Sequence, residues 1–210
     1  MHRRWGKRVF DVAVALILLA LAAPVMAVIG LAVRCRLGAP VLFRQTRTGM
    51  RGASFEVLKF RTMRVGEGDD ASRLTPLGHL LRASALDELP QLVNVLRGEM
   101  SLVGPRPLLP EYIPLYTPRQ ASRLSVRPGL CGLAQAQGRN AVPWEARLEW
   151  DARYVECVTF AGDLRILLAC AGVLLRGQGV SAPGHATMAR LDAIPSPRAG
   201  PSASTGTPRS

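Results

Sequence analysis

The sequence predicts an α+β protein that is mainly helical and monotopic, attached to a membrane from one side by its N-terminus. Three observations lead to this fold class: an uncharged segment near the N-terminus, two short strand-like segments joined by a turn, and amphipathic helical segments after them. We divide the chain into a membrane helix-break-helix (1–36), a compact cytosolic domain (37–180) and a tail (181–210). The tail is rich in Pro, Ser, Ala and Gly, and we expect it to be disordered.

Charge is the strongest signal in the composition, because 27 Lys and Arg residues against 15 Asp and Glu give a formal net charge of +12. Such a chain binds anionic partners: phosphorylated substrates, nucleic acid or an acidic membrane surface. Aromatic residues form only 5% of the chain and are not interleaved with basic stretches, which argues against a nucleic-acid groove. The four cysteines have no metal-ligand spacing, so we expect reduced thiols that pack in the core.

The uncharged segment runs from Val12 to Val33 and would be about 33 Å long as a straight helix, enough to span a hydrocarbon core of roughly 30 Å. Pro24 lies in its middle, where proline removes a helix hydrogen bond. Lys and Arg flank the segment on both sides, and an excess of these residues marks the cytoplasmic side. We therefore favour a re-entrant hairpin, a helix broken at Pro24 whose two arms enter the membrane and return. A kinked single span is the alternative.

The cytosolic domain begins with two predicted strands, 40–45 and 54–63, which form a short β-hairpin. The second strand carries Lys59 and Arg61. A short helix is predicted over 76–84 and includes Arg82.

The next predicted helix spans 86–98, and it begins with the adjacent acids Asp87 and Glu88. Pro90 is tolerated only in the first turn of a helix, so the acids must lie at the N-terminus. Acids in a first turn complement the helix dipole, and this alone would explain them as structural. The arginines that follow favour a chemical role instead.

Rigidly mounted arginines follow the acid pair in sequence. Arg106 lies between Pro105 and Pro107, and a guanidinium whose backbone is fixed in this way is suited to bind the oxygens of a diphosphate. We predict a phosphate-binding set of six cations around the acids: Lys59, Arg61, Arg82, Arg106, Arg127 and Arg139. Two further helices are predicted within 148–177, with Asp151 and Asp163 as candidate acids that would support the site from behind.

Several motifs occur in one order: KRVFD (7–11), FRQTRTG (43–49), FEVLKFRTM (55–63), LDELPQLVNVLRGEMSLVGPRPLLPEY (86–112), VRPGLCGLAQAQGRN (126–140) and DARYV (151–155). This series closely resembles the bacterial sugar transferases, and among them the monotopic phosphoglycosyl transferases. The resemblance covers about residues 5–188, and its DELPQL and MSLVGPRP portions are highly specific. The compact length and the ending RGQGVSAPGHATM (176–188) look most like small members that act on an N-acetylated, bacillosamine-type UDP-sugar.

The resemblance implies a reaction in which a phosphosugar moves from a UDP-sugar to undecaprenyl phosphate and UMP is released, with Mg²⁺ as cofactor. It implies that Asp87 is the nucleophile, that a covalent phosphosugar–enzyme intermediate forms, and that Glu88 assists in metal binding or proton handling. Both acids are thus candidate metal ligands.

The implied location is the cytoplasmic face of the bacterial inner membrane, with both termini in the cytoplasm and no nucleic-acid partner. A homodimer or an association with downstream glycosyltransferases stays open. The chain departs from many members of the family at the membrane break, where Ala23 precedes Pro24 in place of a serine.

Two other classes of protein are compatible with parts of the sequence. A membrane-anchored basic scaffold would bind lipid or nucleic acid, but it would have no need for an acid pair beside mounted arginines. An ordinary glycosyltransferase would release UDP instead of UMP, but the sequence has no βαβ series and no glycine-rich nucleotide loop.

Overall fold

A computed structural model describes residues 2–176 and 190–191. The predicted tail therefore lies outside the described residues, apart from positions 190 and 191. The described helices are α1 His2–Leu37, α2 Asp70–Arg73, α3 Pro76–Ala83, α4 Gln91–Arg97, α5 Pro118–Ala121, α6 Leu133–Ala136, α7 Trp144–Glu156 and α8 Phe160–Leu175. The strands are β1 Leu42–Thr48, β2 Ser54–Phe60, β3 Ser101–Val103 and β4 Gly129–Cys131. This mixture agrees with the predicted α+β class.

The N-terminal helix α1 is the longest element, and it is long and apolar enough to cross a membrane by length and composition. Its middle, from Leu16 to Val28, is mostly exposed on the surface of the protein. The structure assigns one helix through Pro24, so the break predicted at that residue is not confirmed. A proline inside a helix removes one hydrogen bond and usually bends the axis, and a bend does not have to end the helix.

Strands β1 and β2 form the predicted hairpin, paired antiparallel from Leu42 opposite Phe60 to Thr48 opposite Ser54. The outer strand β1 carries exposed side chains along most of its length. On β2, Val57, Leu58 and Phe60 are buried. The described residues add no third strand to the hairpin, and these apolar side chains are covered by helices, Val57 by α4 and Phe60 by α3 and the C-terminal part of α1.

Helix α3 begins and ends as the sequence predicts. Thr75 caps it, since its hydroxyl accepts the backbone N–H of Gly78 at 3.0 Å, and Pro76 occupies the first turn. The segment predicted as one helix over 86–98 is divided into a 3₁₀ turn at Leu86–Glu88 and helix α4. Gly98 closes α4 in the left-handed conformation, with a φ of 84°.

Strands β3 and β4 form a short parallel pair that the sequence does not predict. Their backbones approach very closely, because a Cβ built on Gly129 would lie 2.0 Å from the backbone nitrogen of Gly104. Glycine is therefore required at this crossing. The pair joins the segment that carries Arg106 to the segment that carries Arg127, and the side chains of β3 are buried.

Two hydrophobic clusters attach α1 to the rest of the protein. One packs Ala15 of α1 with Leu92 and Val95 of α4 and with β3 and α8. The other packs Ile29 and Val33 of α1 with Phe60 and Leu81, and Met26 and Leu37 lie at its margin. Both ends of α1 therefore rest on the same body.

Candidate active site

The acid pair, Asp87 and Glu88, lies in the 3₁₀ turn between α3 and α4. The residue before this turn, Ala85, has a left-handed backbone with a φ of 55°, which is uncommon for a residue with a Cβ. The chain then passes through Pro90 into α4. The sequence placed the acids in the first turn of α4, and the structure places them just before it.

Glu88 is held by two cations. Arg106 grips its carboxylate with both terminal nitrogens, and the distance from Nη1 to Oε2 is 3.2 Å. Lys59 from β2 donates to Oε1 at 2.7 Å. Burial opposes the ionisation of Glu88, but the positive charges of Arg106 and Lys59 outweigh it and hold the pKa of Glu88 well below its usual range.

Asp87 has the opposite electrostatic character. Its side chain is buried, and within the described part of the chain no side chain or backbone group hydrogen-bonds to its carboxylate. Burial raises the pKa of Asp87, the neighbouring negative charge of Glu88 raises it further, and nearby cations oppose both only in part. The pKa is about 6 instead of 3.8. Asp87 is therefore mostly ionised at neutral pH and becomes protonated at about one pH unit below it.

Two more of the predicted cations lie near the acid pair. Arg82 donates from Nε to the hydroxyl of Thr62 at 3.0 Å, and its charge lowers the pKa of Asp87. Arg139 donates to the backbone carbonyl of Arg82 at 3.0 Å, and both acids act on its pKa in turn. Four predicted cations, Lys59, Arg82, Arg106 and Arg139, thus surround the acids as a phosphate site would require.

The family model for bacterial sugar transferases matches residues 2–177. The chain belongs to the bacterial sugar transferase family. This confirms the resemblance seen in the sequence and the prediction of a sugar-transferring enzyme, and it counts against the non-catalytic scaffold.

Three relatives show the range within the family. The chain is 45% identical to the uncharacterized sugar transferase EpsL of Bacillus subtilis (strain 168), over 88% of this chain and 95% of the relative. It is 43% identical to the UDP-glucose:undecaprenyl-phosphate glucose-1-phosphate transferase of Caulobacter vibrioides, over 80% of this chain and 69% of the relative. It is 34% identical to the undecaprenyl-phosphate galactose phosphotransferase of Salmonella typhimurium, over 84% of this chain and 42% of the relative.

Two of the six cations predicted for this sugar transferase site have other partners. Arg61 donates to the carbonyls of Leu37, Gly38 and Ala39, and it thereby ties the end of α1 to β2. Arg127 donates from Nε to the carbonyl of Gly98 at 2.8 Å, where it satisfies the C-terminus of α4. The structure brings neither guanidinium to the acid pair, so their predicted role in phosphate binding gains no support from the geometry.

The two acids predicted to support the site have different positions. Asp151 forms a buried ion pair with Arg123 at 2.8 Å, and Arg123 in turn contacts the backbone of Arg106. Asp163 pairs with Lys7 of α1 and accepts a hydrogen bond from the hydroxyl of Tyr154 at 2.9 Å. Asp151 is therefore connected to the site, whereas Asp163 connects α8 to α1.

Arg123 is a residue that the sequence analysis missed. It stands four residues before Arg127 in a segment without mounting prolines of its own, and nothing in its local sequence distinguishes it from a surface arginine. Its importance depends on burial, because the residue is only 4% exposed. The long-range partner Asp151, 28 positions away, gives no local signal either.

Proposed function

We propose that this sugar transferase moves a phosphosugar from a UDP-sugar to undecaprenyl phosphate and releases UMP, with Asp87 as the nucleophile. The observation that carries the proposal is that the two acids have different partners. Glu88 is occupied by Arg106 and Lys59, whereas Asp87 is buried, without a hydrogen-bonded partner among the described residues, and surrounded by cations. An ionised carboxylate in that position is suited to attack a phosphorus atom whose oxygens the cations hold.

The proposed reaction has two displacements at one carboxylate. An oxygen of Asp87 attacks the phosphorus that bears the sugar, the bond to the bridging oxygen of the diphosphate breaks, and UMP leaves with that oxygen. A phosphate oxygen of the polyprenol then attacks the same phosphorus, the aspartyl bond breaks, and the polyprenyl-diphosphate sugar leaves. Arg106, Lys59 and their neighbours neutralise the oxygens of the transferring group in both steps.

Mg²⁺ remains a proposal that the residues at the site fit. Magnesium is usually bound by one or two carboxylates together with phosphate oxygens and water, and Asp87 offers one carboxylate beside the expected diphosphate position. Bound there, the ion would reduce the negative charge on the donor. Glu88 is the weaker candidate ligand, because two cations already occupy its oxygens. The described residues contain no group of three or more His, Cys, Asp or Glu side chains arranged around a metal.

The sugar is a separate part of the proposal. The sequence predicts an N-acetylated, bacillosamine-like donor, partly from residues 177–188, which lie outside the described residues. Two of the three relatives named above carry the names of a glucose-1-phosphate transferase and a galactose phosphotransferase. We therefore propose a UDP-sugar donor, and a panel of UDP-glucose, UDP-galactose and UDP-N-acetylated sugars decides which one is used.

We further propose that α1 enters the cytoplasmic leaflet and does not cross the membrane. Near the N-terminus, Arg8 donates to the carbonyl of Val95 at 2.6 Å and Asp11 accepts from the hydroxyl of Ser101 at 2.7 Å. Near the other end, Val33 packs against Phe60. A helix with both ends on one water-soluble body cannot hold those ends on opposite sides of a bilayer. The exposed middle of α1 is then the part available to lipid.

The test is a single-turnover assay in the absence of the polyprenol acceptor. Purified protein is mixed with a UDP-sugar labelled in the sugar, and we expect about one UMP per active site together with label bound to Asp87. Hydroxylamine should remove this label, because it cleaves acyl phosphates. Asp87→Asn should give neither product, and Glu67→Gln, a change at an exposed loop acid, should give both. Release of UDP would identify an ordinary glycosyltransferase, and label in Asp87→Asn would exclude the proposed nucleophile.

A further inference from the structure

Behind Arg106 lies a buried ion pair that does not contact the acid pair. Arg123 and Asp151 are 4% and 1% exposed, and Nη2 of Arg123 lies 2.8 Å from Oδ2 of Asp151. Nη1 of the same guanidinium donates to the hydroxyl of Tyr116 at 2.9 Å. The guanidinium is therefore fixed from two sides by side chains of two different segments.

The nitrogen of Arg123 that binds Asp151 also contacts the segment that carries Arg106. Nη2 of Arg123 also donates to the backbone carbonyl of Arg106, at 2.5 Å. Both neighbours of Arg106 are prolines, which have fixed φ angles and no backbone N–H to donate. The preceding carbonyl, that of Pro105, is held at 2.9 Å by the backbone N–H of Gly129. The backbone around Arg106 is thus held by hydrogen bonds to two successive carbonyls, those of Pro105 and Arg106, while the side chain of Arg106 reaches Glu88.

Stability alone explains this ion pair poorly. Removing two charges from water opposes folding, and a buried pair replaced by apolar residues of similar volume often leaves stability unchanged or improved. The hydrogen bond from Arg123 to the carbonyl of Arg106, the residue that binds Glu88, indicates a different role for the ion pair. Small errors in the placement of a phosphate-binding fork reduce rate strongly, by about 100-fold for roughly 1 Å in well-studied enzymes.

We propose that Arg123, oriented by Asp151 and Tyr116, is a positioning residue that sets the backbone of Arg106 so that its guanidinium meets the diphosphate of the donor. Arg123 itself touches neither the acid pair nor, in this proposal, the substrate. The inference rests on the proposed function for its kinetic consequences, but the placement of Arg106 can be measured separately.

The experiment compares two backgrounds. The double variant Arg123→Met/Asp151→Leu removes the buried charges together and fills the space with apolar groups, so that it should fold with a Tm close to that of the unchanged protein. We expect its kcat/KM for the UDP-sugar to fall roughly 10- to 100-fold. In an Arg106→Ala background the same two changes should cause little further loss, because the residue that they position is gone.

A spectroscopic measurement tests the positioning without any turnover. A guanidinium held in a two-pronged contact rotates slowly about its Nε–Cζ bond and gives separate ¹⁵Nη resonances. We expect separate resonances for Arg106 in the unchanged protein and a merged resonance in Arg123→Met/Asp151→Leu, while the remaining backbone spectrum is preserved. Arg123→Lys keeps a charge for Asp151 but lacks the planar fork, so it should be intermediate in both measurements.

The outcomes are distinct. If the unchanged protein releases no UMP from any donor of the panel, the proposed function fails, and the resonance of Arg106 still decides the positioning. The inference is overturned if the double variant reduces kcat/KM by the same factor with Arg106 present and in the Arg106→Ala background. It is also overturned if Arg106 keeps its separate resonances in the double variant. In either case Arg123 has only a structural role.

Discussion

At the scale of single residues, the two adjacent acids differ because their surroundings differ. Glu88 faces Arg106 and Lys59 and remains ionised, whereas Asp87 is buried beside that negative charge and has a pKa of about 6. Neighbouring carboxyls with opposite pKa shifts are a common arrangement in enzymes that need two roles from one residue type. In the proposed function, Asp87 attacks phosphorus and Glu88 orients the cations.

The first prediction concerns the pH dependence of activity. Since Asp87 attacks as a carboxylate, kcat/KM should fall as pH decreases through about 6. Glu88→Gln removes a neighbouring negative charge that raises the pKa of Asp87, so the acid limb should move to lower pH even though overall activity falls. The measurement is UMP release from about pH 5 to about pH 8. If the acid limb of the pH profile stays at the same pH in Glu88→Gln, the group that titrates is not Asp87.

The second prediction concerns stability. A pKa raised from 3.8 to about 6 means that the folded protein binds this proton more tightly than the unfolded chain, so stability is lost as pH rises through that window. Above pH 6 the ionised Asp87 therefore destabilises the fold, by at most about 3 kcal/mol. Asp87→Asn should raise Tm at pH 8 while abolishing turnover, and the gain should shrink towards pH 4. Glu67→Gln, at an exposed position, is the control. A lower Tm for Asp87→Asn at pH 8 would contradict the sign.

The third prediction concerns the fork of Arg106. Lysine conserves the charge but cannot occupy both oxygens of Glu88 at once, so Arg106→Lys should lose about 10-fold or more in kcat/KM for the donor. Lys59→Arg is a matched comparison, because that cation makes a single contact with Glu88. Equal activity of Arg106→Lys and the unchanged protein would show that a point charge is sufficient.

At the scale of elements, the sequence predicts what depends on local pattern. The hairpin, α3 and the two C-terminal helices follow from local sequence patterns, and the structure has all of them. The acid pair could be found because Pro90 locates the start of α4.

The elements that were missed depend on long-range contacts. Strands β3 and β4 are three residues each, and they form only because Gly104 and Gly129 let two distant backbones meet. The same applies to Arg61, Arg127 and Arg123, whose roles are set by carbonyls and acids far away in sequence. An arginine next to proline indicates a guanidinium on a fixed backbone, but the sequence does not show which group the guanidinium binds.

The fourth prediction concerns the attachment of α1 to β3. Asp11 is buried and accepts two hydrogen bonds, from the hydroxyl of Ser101 at 2.7 Å and from the backbone N–H of Leu102 at 3.2 Å. Asp11→Asn keeps the shape but exchanges one acceptor for a donor, so one of these donors is left unsatisfied. We expect a loss of about 1 to 3 kcal/mol in unfolding free energy, measured by denaturation in detergent. An unchanged stability, equal to that of Glu67→Gln, would show that these bonds contribute nothing.

At the scale of the whole molecule, positive charge and an apolar helix act together. In the proposed membrane association, the net charge of +12 would attract the protein to an anionic membrane surface, and the exposed middle of α1 would supply apolar area for insertion. Because both ends of α1 are bound to one body, the proposed orientation keeps the N-terminus and the acid pair on the same side. UDP-sugars would then reach the site from the cytoplasm.

The fifth prediction tests this orientation. A single cysteine is placed at residue 2 in a protein whose four native cysteines are replaced, and intact cells are treated with a membrane-impermeant thiol reagent. We expect protection in the unchanged protein. In Pro24→Ala labelling should increase only to the extent that the contacts of Arg8 and Asp11 with the body break, since a straighter helix favours spanning. A cysteine at residue 67, in the cytosolic body, should stay protected in both. Strong labelling of residue 2 with Pro24 present would exclude the re-entrant orientation.

The double attachment of α1 has a consequence for the choice of host membrane. A spanning helix adapts to bilayers of different thickness by tilting or by stretching the lipid around it, and its function follows hydrophobic mismatch. In the proposed orientation, a helix fastened at Asp11 and Val33 to one body would enter only one leaflet, and its depth would be fixed by the protein. The height of the acid pair above the headgroups would then be the same in short-chain and long-chain lipids, and reconstituted activity would be insensitive to acyl-chain length.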